Sequence, residues 1–191
     1  DFVGGVCVNT GTIPSKTLRE AVLYLSGFRE RNVYGASYRV KHHITMEDLQ
    51  LRCNHVTGHE IDVIKHQMYR NEIDLINGFA SFSDPHTIRV ESHNEERRVT
   101  AAHTVIAVGT SPTMPESIPF MQDRIFTSDG LLQMKNVPRS LAVIGAGVIG
   151  IEYASIFAAL GTRVTVIDMR SRLLGFVDEE VIGALMYHLR Q

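Results

Sequence analysis

Apolar residues recur at helical spacing in two stretches of the first third of the chain. After Pro14, apolar side chains follow at intervals of three and four, which predicts a helix that ends near Gly27. Proline suits the start of a helix because the N–H that it lacks would be unpaired there anyway. A second, longer helix is predicted over residues 46–71, although Gly58 leaves its middle uncertain.

Between residues 73 and 109 the apolar positions alternate with a period of two, which predicts short strands joined by polar turns. The most apolar of these stretches is HTVIAVGTSP, and we expect a buried strand there that ends at Gly109. Pro112, Pro115 and Pro119 then crowd a loop. We predict that the chain passes there from one domain, residues 1–115, to the next, residues 116–191.

Beyond this loop the pattern is strand, glycine-rich turn, helix, glycine and strand, which is typical of a parallel βαβ unit. A further helix is predicted from Val177 or Asp178 onward, because acidic residues favour the first turn. The fold class is therefore α/β, with parallel sheets flanked by helices.

The turn of this βαβ unit carries the pattern G-x-G-x-x-G at Gly145, Gly147 and Gly150. The first glycine permits a tight turn, the second lets the backbone approach a pyrophosphate, and the third allows close packing of helix and strand. The helix then starts at Val148 and Ile149, so that its free N–H groups face the anion. We predict a bound dinucleotide, with a simple packing turn as the alternative.

An acidic residue, Asp168, ends the second strand about 20 residues after the first glycine, where an acid can bind the ribose 2′-hydroxyl of NAD. Arg170 and Arg172 follow it, and an arginine there accommodates the 2′-phosphate of NADP. The alternative, that both arginines are simply solvated side chains in a loop, is equally compatible with the sequence. The residues alone therefore leave the choice between NAD and NADP open.

Composition narrows the function further. The 191 residues carry a net charge of -2, so no basic field attracts nucleic acid or anionic lipid. No apolar run approaches the roughly 20 residues that cross a membrane, and we expect a cytoplasmic protein. Cys7 and Cys53 are the two cysteines, reduced in that compartment, although a bridge between them stays possible. The nine histidines show no metal-ligand spacing, and we predict no metal.

Five motifs in order carry a resemblance to a known family: GGVCVNTGTIPSK, INGFASF, TVIAVGTSP, FTSDGLL and VIGAGVIGIEYASIF. The chain resembles the FAD-dependent pyridine nucleotide-disulfide oxidoreductases. This resemblance implies Rossmann-like domains, with the later part of an FAD-binding domain at 1–115 and the truncated start of an inserted NAD(P)-binding domain at 116–191. It also implies a parent chain more than twice as long, which forms a homodimer or higher homo-oligomer, and a fragment that is inactive alone.

Disulfide reductases of this family carry two cysteines in the first loop, and this chain departs from them. Cys7 holds the first position and Thr12 the second, and a threonine cannot complete thiol-disulfide exchange. With this departure the resemblance implies hydride transfer between NADPH and NAD+ through FAD. The alternatives are a lipoamide dehydrogenase-like reductase of quinones or dyes and a non-catalytic dinucleotide-binding module.

The resemblance also implies residue roles around the flavin. Gly4, Gly5 and Cys7 would line the flavin, and Lys16 would lie near its N5 atom, where a cation stabilises negative charge. Glu152 matches the acid that pairs with this lysine, which makes Lys16, Glu152 and Cys7 the candidate catalytic residues. An exposed Lys16, a Glu152 that serves the helix dipole and a Cys7 that only packs are the alternatives.

Two further positions are implied at the adenine end and beside the cofactor. Phe79 and Ala80 would contact the adenine end of FAD through their backbone. Ala107 and Gly109 would let the end of a strand approach the cofactor closely. Apart from the resemblance, each of these four residues is an ordinary core or turn residue.

Overall fold

The computed structural model describes residues 3–93, 95–120 and 124–189. Its helices are α1 (Gly5–Asn9), α2 (Thr12–Leu25), α3 (Arg31–Tyr34), α4 (Met46–Arg70), α5 (Ser128–Leu131), α6 (Val148–Ala159) and α7 (Glu179–Leu189), with a 3₁₀ turn at Phe28–Glu30. Its strands are β1 (Phe79–Asp84), β2 (Thr87–Glu91), β3 (Glu96–Thr100), β4 (Ser140–Ile144) and β5 (Arg163–Ile167).

The two long helices of the first half confirm the helical periodicity. Helix α2 begins two residues before Pro14, which therefore lies within its first turn. Helix α4 continues through Gly58 without a break. A capping box starts it, because Thr45 Oγ1 accepts from the N–H of Asp48 at 3.3 Å while Asp48 Oδ2 accepts from the N–H of Thr45 at 2.9 Å.

The second half contains the predicted βαβ unit. Strands β4 and β5 pair in parallel, in register from Ser140 with Arg163 to Ile144 with Ile167. Helix α6 connects them and packs against both. Helix α7 begins at Glu179, and the Asp178 side chain accepts from the N–H of Glu180 at 2.9 Å. These elements confirm the α/β fold class.

Between the two halves lies an antiparallel meander in the order β1-β2-β3. The strand expected to end at Gly109 is absent from the described residues, and the segment that follows β3 is irregular. Its apolar side chains face solvent, with Val105 87% and Val108 90% exposed. The prediction was wrong because apolar alternation becomes a strand only where a neighbouring strand is present to pair with it. Ala107 and Gly109 consequently lie in an extended loop.

The main core brings residues from both halves together. Helices α2, α4 and α6 supply most of it: Leu18, Ala21, Val22, Met46, Leu49, Cys53, Tyr153, Ile156 and Phe157, with Met134 from the segment after α5. Gln50 ties α4 to this last segment, since its amide donates to the carbonyls of Leu132 and Met134 at 3.0 and 2.8 Å. The predicted boundary near residue 115 stays a prediction. Among the described residues, no helix is both long and apolar enough to cross a membrane.

Candidate functional site

The glycine-rich segment at the start of the chain folds into a short helix followed directly by α2. Gly4 takes a left-handed conformation with φ of +88°, and a Cβ there would collide with Val8. Gly5 also has positive φ, and a Cβ on it would meet open space. Cys7 is exposed on α1, and Thr12 is the first residue of α2. The segment thus presents a thiol and an open glycine face to solvent.

A junction between α2 and α6 forms where Lys16 and Glu152 meet. Lys16 Nζ lies 2.5 Å from Glu152 Oε1, although 136 residues separate the two along the chain. Ser15 Oγ lies 3.3 Å from the same carboxylate oxygen, and Ser15 is buried. The Lys16 side chain is 61% exposed and that of Glu152 16% exposed. The carboxylate is therefore held by the fold, while the ammonium group remains open to a ligand.

These positions bear on the alternatives for the pair. The first turn of α6 contains no acidic residue, so Glu152 lies too far along the helix to act mainly on its N-terminal dipole. Lys16 is exposed on its helix and is nevertheless engaged by the acid. The structure therefore brings together two of the predicted site residues, whose catalytic role stays a prediction.

The G-x-G-x-x-G turn has the backbone geometry that its glycines predict. Gly145 has φ of +105°, which only glycine adopts readily, and a Cβ on Gly150 would collide with the Gly145 carbonyl oxygen. By contrast, a Cβ on Gly147 would meet open space. Val148 and Ile149 open α6 and are exposed. The third glycine thus serves packing, while the second leaves room for a ligand at the helix N-terminus.

Asp168 is bound from two directions. Its Oδ2 accepts from the backbone N–H of Ala146, inside the glycine-rich turn, at 2.6 Å. Arg170 donates to it from Nε at 2.9 Å and from Nη2 at 2.7 Å, and its backbone N–H donates at 2.8 Å. The guanidinium, together with the Ala146 N–H, holds the pKa of the Asp168 carboxyl well below its usual range, and the pKa of Arg170 is raised in return.

The two arginines after this acid differ in their partners. Arg170 forms the paired, two-pronged contact with Asp168 and is still 59% exposed. Arg172 instead contacts Glu179, at the start of α7, with 3.0 Å between Nη1 and Oε1. Arg170 is therefore the arginine placed at the acid that directly follows β5.

The two cysteines occupy different environments. Cys53 lies in the core and donates to the Pro14 carbonyl at 3.6 Å, and burial raises the pKa of its thiol to about 11. It also lines a cavity of about 150 Å³ enclosed by α4, residues 9–18 and residues 129–133, and no predicted cofactor-binding residue lines that cavity. Both thiols are free. Cys53 is accordingly a protonated core residue and Cys7 the accessible thiol.

The other four predicted cofactor-binding residues lie in the middle of the chain, between the two glycine-rich segments. Phe79 and Ala80 begin β1 at the positions that pair with Glu91 and Val90, and Phe79 is 76% exposed. Ala107 and Gly109 lie in the irregular segment, where Gly109 has φ of +73°. Their predicted contacts with a cofactor stay predictions. The described residues contain no group of three or more histidine, cysteine or acidic side chains arranged to hold a metal ion.

Sequence reasoning missed two contacts of this site. The Ser15 hydroxyl beside Glu152 has no sequence signal, because the two residues are 137 positions apart. The bond from the Ala146 N–H to Asp168 joins the turn to the end of β5. The parallel βαβ unit could have suggested it, since the carboxyl ends of adjacent parallel strands meet at one edge.

Comparisons with known proteins agree with this geometry. The soluble pyridine nucleotide transhydrogenase of Mycobacterium bovis is 57% identical over 191 residues, which are 99% of this chain and 41% of that protein. The protein of the same name from Marinobacter nauticus is 39% identical over 188 residues, with 98% of this chain and 40% of that protein covered. The chain thus spans about two fifths of the length of these relatives.

Solved structures show the same fold. The HOCl-induced flavoprotein disulfide reductase RclA from Escherichia coli has a TM-score of 0.77 and 28% identity, over 99% of this chain and 39% of that one. LpdA from Mycobacterium tuberculosis has a TM-score of 0.87 at 24% identity, over 100% of this chain and 42% of that one. The family model described as pyridine nucleotide-disulphide oxidoreductase matches residues 2–191. The chain therefore belongs to the pyridine nucleotide-disulphide oxidoreductase family, with its Rossmann-type flavoprotein fold.

Proposed function

We propose that the protein containing this chain transfers hydride between NADPH and NAD+ through FAD, as a soluble pyridine nucleotide transhydrogenase. The observation that carries this proposal is the pair of positions Cys7 and Thr12. The first is an exposed thiol, the second a threonine, and the chain's other cysteine, Cys53, is buried with a raised pKa. This segment therefore offers one thiol and no dithiol for disulfide exchange. The relatives named above carry the name of that activity.

The residues at the start of the chain fit a flavin. Gly5 has open space above its backbone, and Cys7 and Lys16 are accessible. When bound, FAD supplies a ring that accepts hydride from one nicotinamide and returns it to another. We propose that Gly4, Gly5 and Cys7 line that ring and that Lys16, oriented by Glu152, places a positive charge beside it. Phe79, Ala80, Ala107 and Gly109 are proposed to contact the rest of the cofactor.

The βαβ unit fits the nicotinamide dinucleotide. Gly145, Gly147 and Gly150 shape the turn, and the exposed start of α6 at Val148 and Ile149 offers backbone N–H groups to a pyrophosphate. We propose that each dinucleotide binds here in turn. One site can serve both substrates because, apart from the oxidation state of the nicotinamide, donor and acceptor differ only in the 2′-phosphate.

The Asp168–Arg170 pair supports the use of both NAD and NADP. Asp168 can bind a ribose 2′-hydroxyl, while Arg170 can leave the carboxylate and bind a 2′-phosphate, because its side chain is more than half exposed. Asp168 and Arg170 are two residues apart, so the Arg170 side chain can change partner without any movement of β5 or α6. We propose that Arg170 selects its partner according to the dinucleotide.

The test uses full-length protein with NADPH as donor and, as acceptor, an NAD+ analogue whose reduced form absorbs at a different wavelength. We expect transfer that disappears when FAD is removed and returns when FAD is added back. Absence of FAD-dependent transfer would defeat the proposal. Faster turnover of a small-molecule disulfide than of oxidised nicotinamide would defeat it equally.

Replacing Thr12 with Cys sharpens this test, because it restores the second cysteine of the disulfide reductases. We expect Thr12→Cys to gain reduction of a small disulfide, whereas Thr12→Ser, which keeps a hydroxyl, gains none. Equal disulfide reduction by the unaltered protein and by both variants would show that the activity does not depend on this position.

Two other functions remain as alternatives. A reductase of quinones or dyes would use the same flavin and would reduce them faster than it reduces the NAD+ analogue. A non-catalytic dinucleotide-binding module would bind NADPH without oxidising it, and the exposed Cys7 and Lys16 would then have no chemistry to serve. A cytoplasmic location and a homodimer or higher homo-oligomer are further parts of this proposal.

A further inference from the structure

Helix α4 carries two exposed histidines that lie one helical turn apart. Met46, Leu49 and Cys53 are buried against α2 and α6. His55 and His59 are exposed, and His55 lines an open groove beside Tyr24 of α2. The helix continues through Gly58, which lies between them, so the two histidines are four residues apart on an unbroken helix.

This spacing places two imidazoles side by side. Residues four apart on a helix lie on one face, with Cβ atoms roughly 5–6 Å apart, one turn above the other. Within the described part of the chain neither imidazole has a hydrogen-bond or ion-pair partner. A Cβ on Gly58 would also meet open space, so the backbone between them is uncovered. Both rings are therefore free to turn towards a common point.

We propose that His55 and His59 chelate a divalent transition-metal ion, with Cu²⁺ bound more tightly than Zn²⁺. Neutral imidazole nitrogens suit these ions, and a pair of histidines four apart on one helix face is the arrangement by which helices supply two ligands to one metal. The described residues contain no third side chain arranged with them, so water fills the remaining positions. The preference for Cu²⁺ follows the general order of affinities of divalent ions for nitrogen ligands.

The proposal revises the sequence-based expectation that no metal binds. That expectation rested on the absence of metal-ligand spacing among the histidines. The unbroken helix α4 places His55 and His59, four residues apart, on one face. The site is separate from the Lys16–Glu152 junction, which lies between α2 and α6.

The experiment is a titration of untagged full-length protein with Cu²⁺, followed by calorimetry and by electron paramagnetic resonance. We expect calorimetry to show one Cu²⁺ ion bound tightly per chain, and the paramagnetic resonance spectrum of that ion to show two nitrogen ligands. His55→Gln and His59→Gln should each weaken binding at least roughly tenfold, because one anchored ligand raises the effective concentration of the other. His66→Gln, an exposed histidine further along the same helix, is the matched control and should leave the affinity unchanged.

A relocation variant tests the spacing itself. His59→Ala combined with Glu60→His keeps the number of histidines but moves the second one about 100° around the helix. We expect this double variant to bind as weakly as His59→Gln, with unchanged helix content by circular dichroism. Binding as tight as in the unaltered protein would overturn the proposal. An equal loss of Cu²⁺ affinity in His66→Gln would also overturn it. So would a full-length protein that binds no Cu²⁺ through two nitrogen ligands.

Discussion

The two ion pairs of the candidate site are formed in opposite ways. Lys16 and Glu152 are 136 residues apart and meet only because α2 and α6 share a core. Asp168 and Arg170 are two residues apart and meet within one turn of chain. In the first pair the fold fixes the position of the carboxylate whatever dinucleotide is present, whereas a pair held by a local turn can open for one ligand and stay closed for another.

This difference matches the two tasks that the proposed function sets. Hydride transfer is the same for both nicotinamides, which suits the Lys16–Glu152 pair. Discrimination concerns only the 2′-phosphate, which suits the exposed guanidinium of Arg170 beside an acid. The comparison therefore predicts that substitutions in the first pair change the rate with both dinucleotides, and substitutions in the second change the ratio between them.

The largest effect is expected for Lys16→Met in the full-length protein. Removal of one preorganised positive charge from a reacting ring lowers the rate by about a hundredfold. The pair is exposed on the lysine side, so its loss should cost less than about 1 kcal/mol of unfolding free energy. The measurement is kcat with each dinucleotide, together with urea unfolding.

Lys16→Arg provides the control, because it keeps the charge while changing its shape. We expect it to recover part of the rate. The hypothesis fails if Lys16→Met retains the full rate, or if the loss of rate is matched by a loss of flavin or of folded protein. A large effect with only one of the two dinucleotides would break the comparison itself.

A smaller effect, a change of preference, is expected for Arg170→Ala. Loss of a charge-assisted contact to the 2′-phosphate should lower kcat/KM for NADPH about tenfold and leave NADH nearly unaffected. Arg172→Ala is the matched control, since Arg172 already contacts Glu179. Equal changes for both dinucleotides, or the same change in Arg172→Ala, would contradict a selective role for Arg170.

Local patterns predicted much of the fold because their causes are local. The apolar spacing after Pro14 and through α4, and the glycine spacing at Gly145 and Gly150, follow from helix geometry and turn sterics, and the structure confirms them. The apolar run around Val105 has the same kind of pattern, but its burial depends on neighbouring strands that no local pattern specifies. That prediction was therefore wrong while the others were confirmed.

The candidate site divides along the same line. Asp168 could be predicted from its spacing to the glycines, but its bond to the Ala146 N–H could be seen only when β4 and β5 were paired. The contact of Lys16 with Glu152 came from the resemblance to a family and from no property of the two residues. Ser15 beside Glu152 was not predicted at all, because nothing in the chain marks a contact across 137 residues.

The smallest effect is expected at a third ion pair, which extends the comparison between local and core-held pairs. In it, Lys41 and the helix cap at Thr45 both contact the Asp48 carboxylate. Lys41 Nζ lies 2.6 Å from Asp48 Oδ1, and together with the Thr45 N–H it lowers the pKa of Asp48 to about 2 from an ordinary value of 3.8. The lysine is the larger cause. We therefore expect Lys41→Met to raise the pKa of Asp48 part of the way back, with the rest retained by the cap. The measurement is an NMR titration of the Asp48 carboxyl group.

The sign of the linked stability follows from this lowered pKa. A carboxylate favoured in the folded state stabilises the protein above its unfolded pKa, near 3.8, and this contribution is lost as the pH falls from about 4 towards about 2. In Lys41→Met less stability should be lost over that range, because less is present at neutral pH. Lys65→Met, an exposed lysine on the same helix, is the control and should leave the titration unchanged. An unchanged pKa in Lys41→Met would show that the helix cap alone lowers the pKa of Asp48. The cap formed by Thr45 and Asp48 would then be a local pair as fixed as the Lys16–Glu152 pair between α2 and α6.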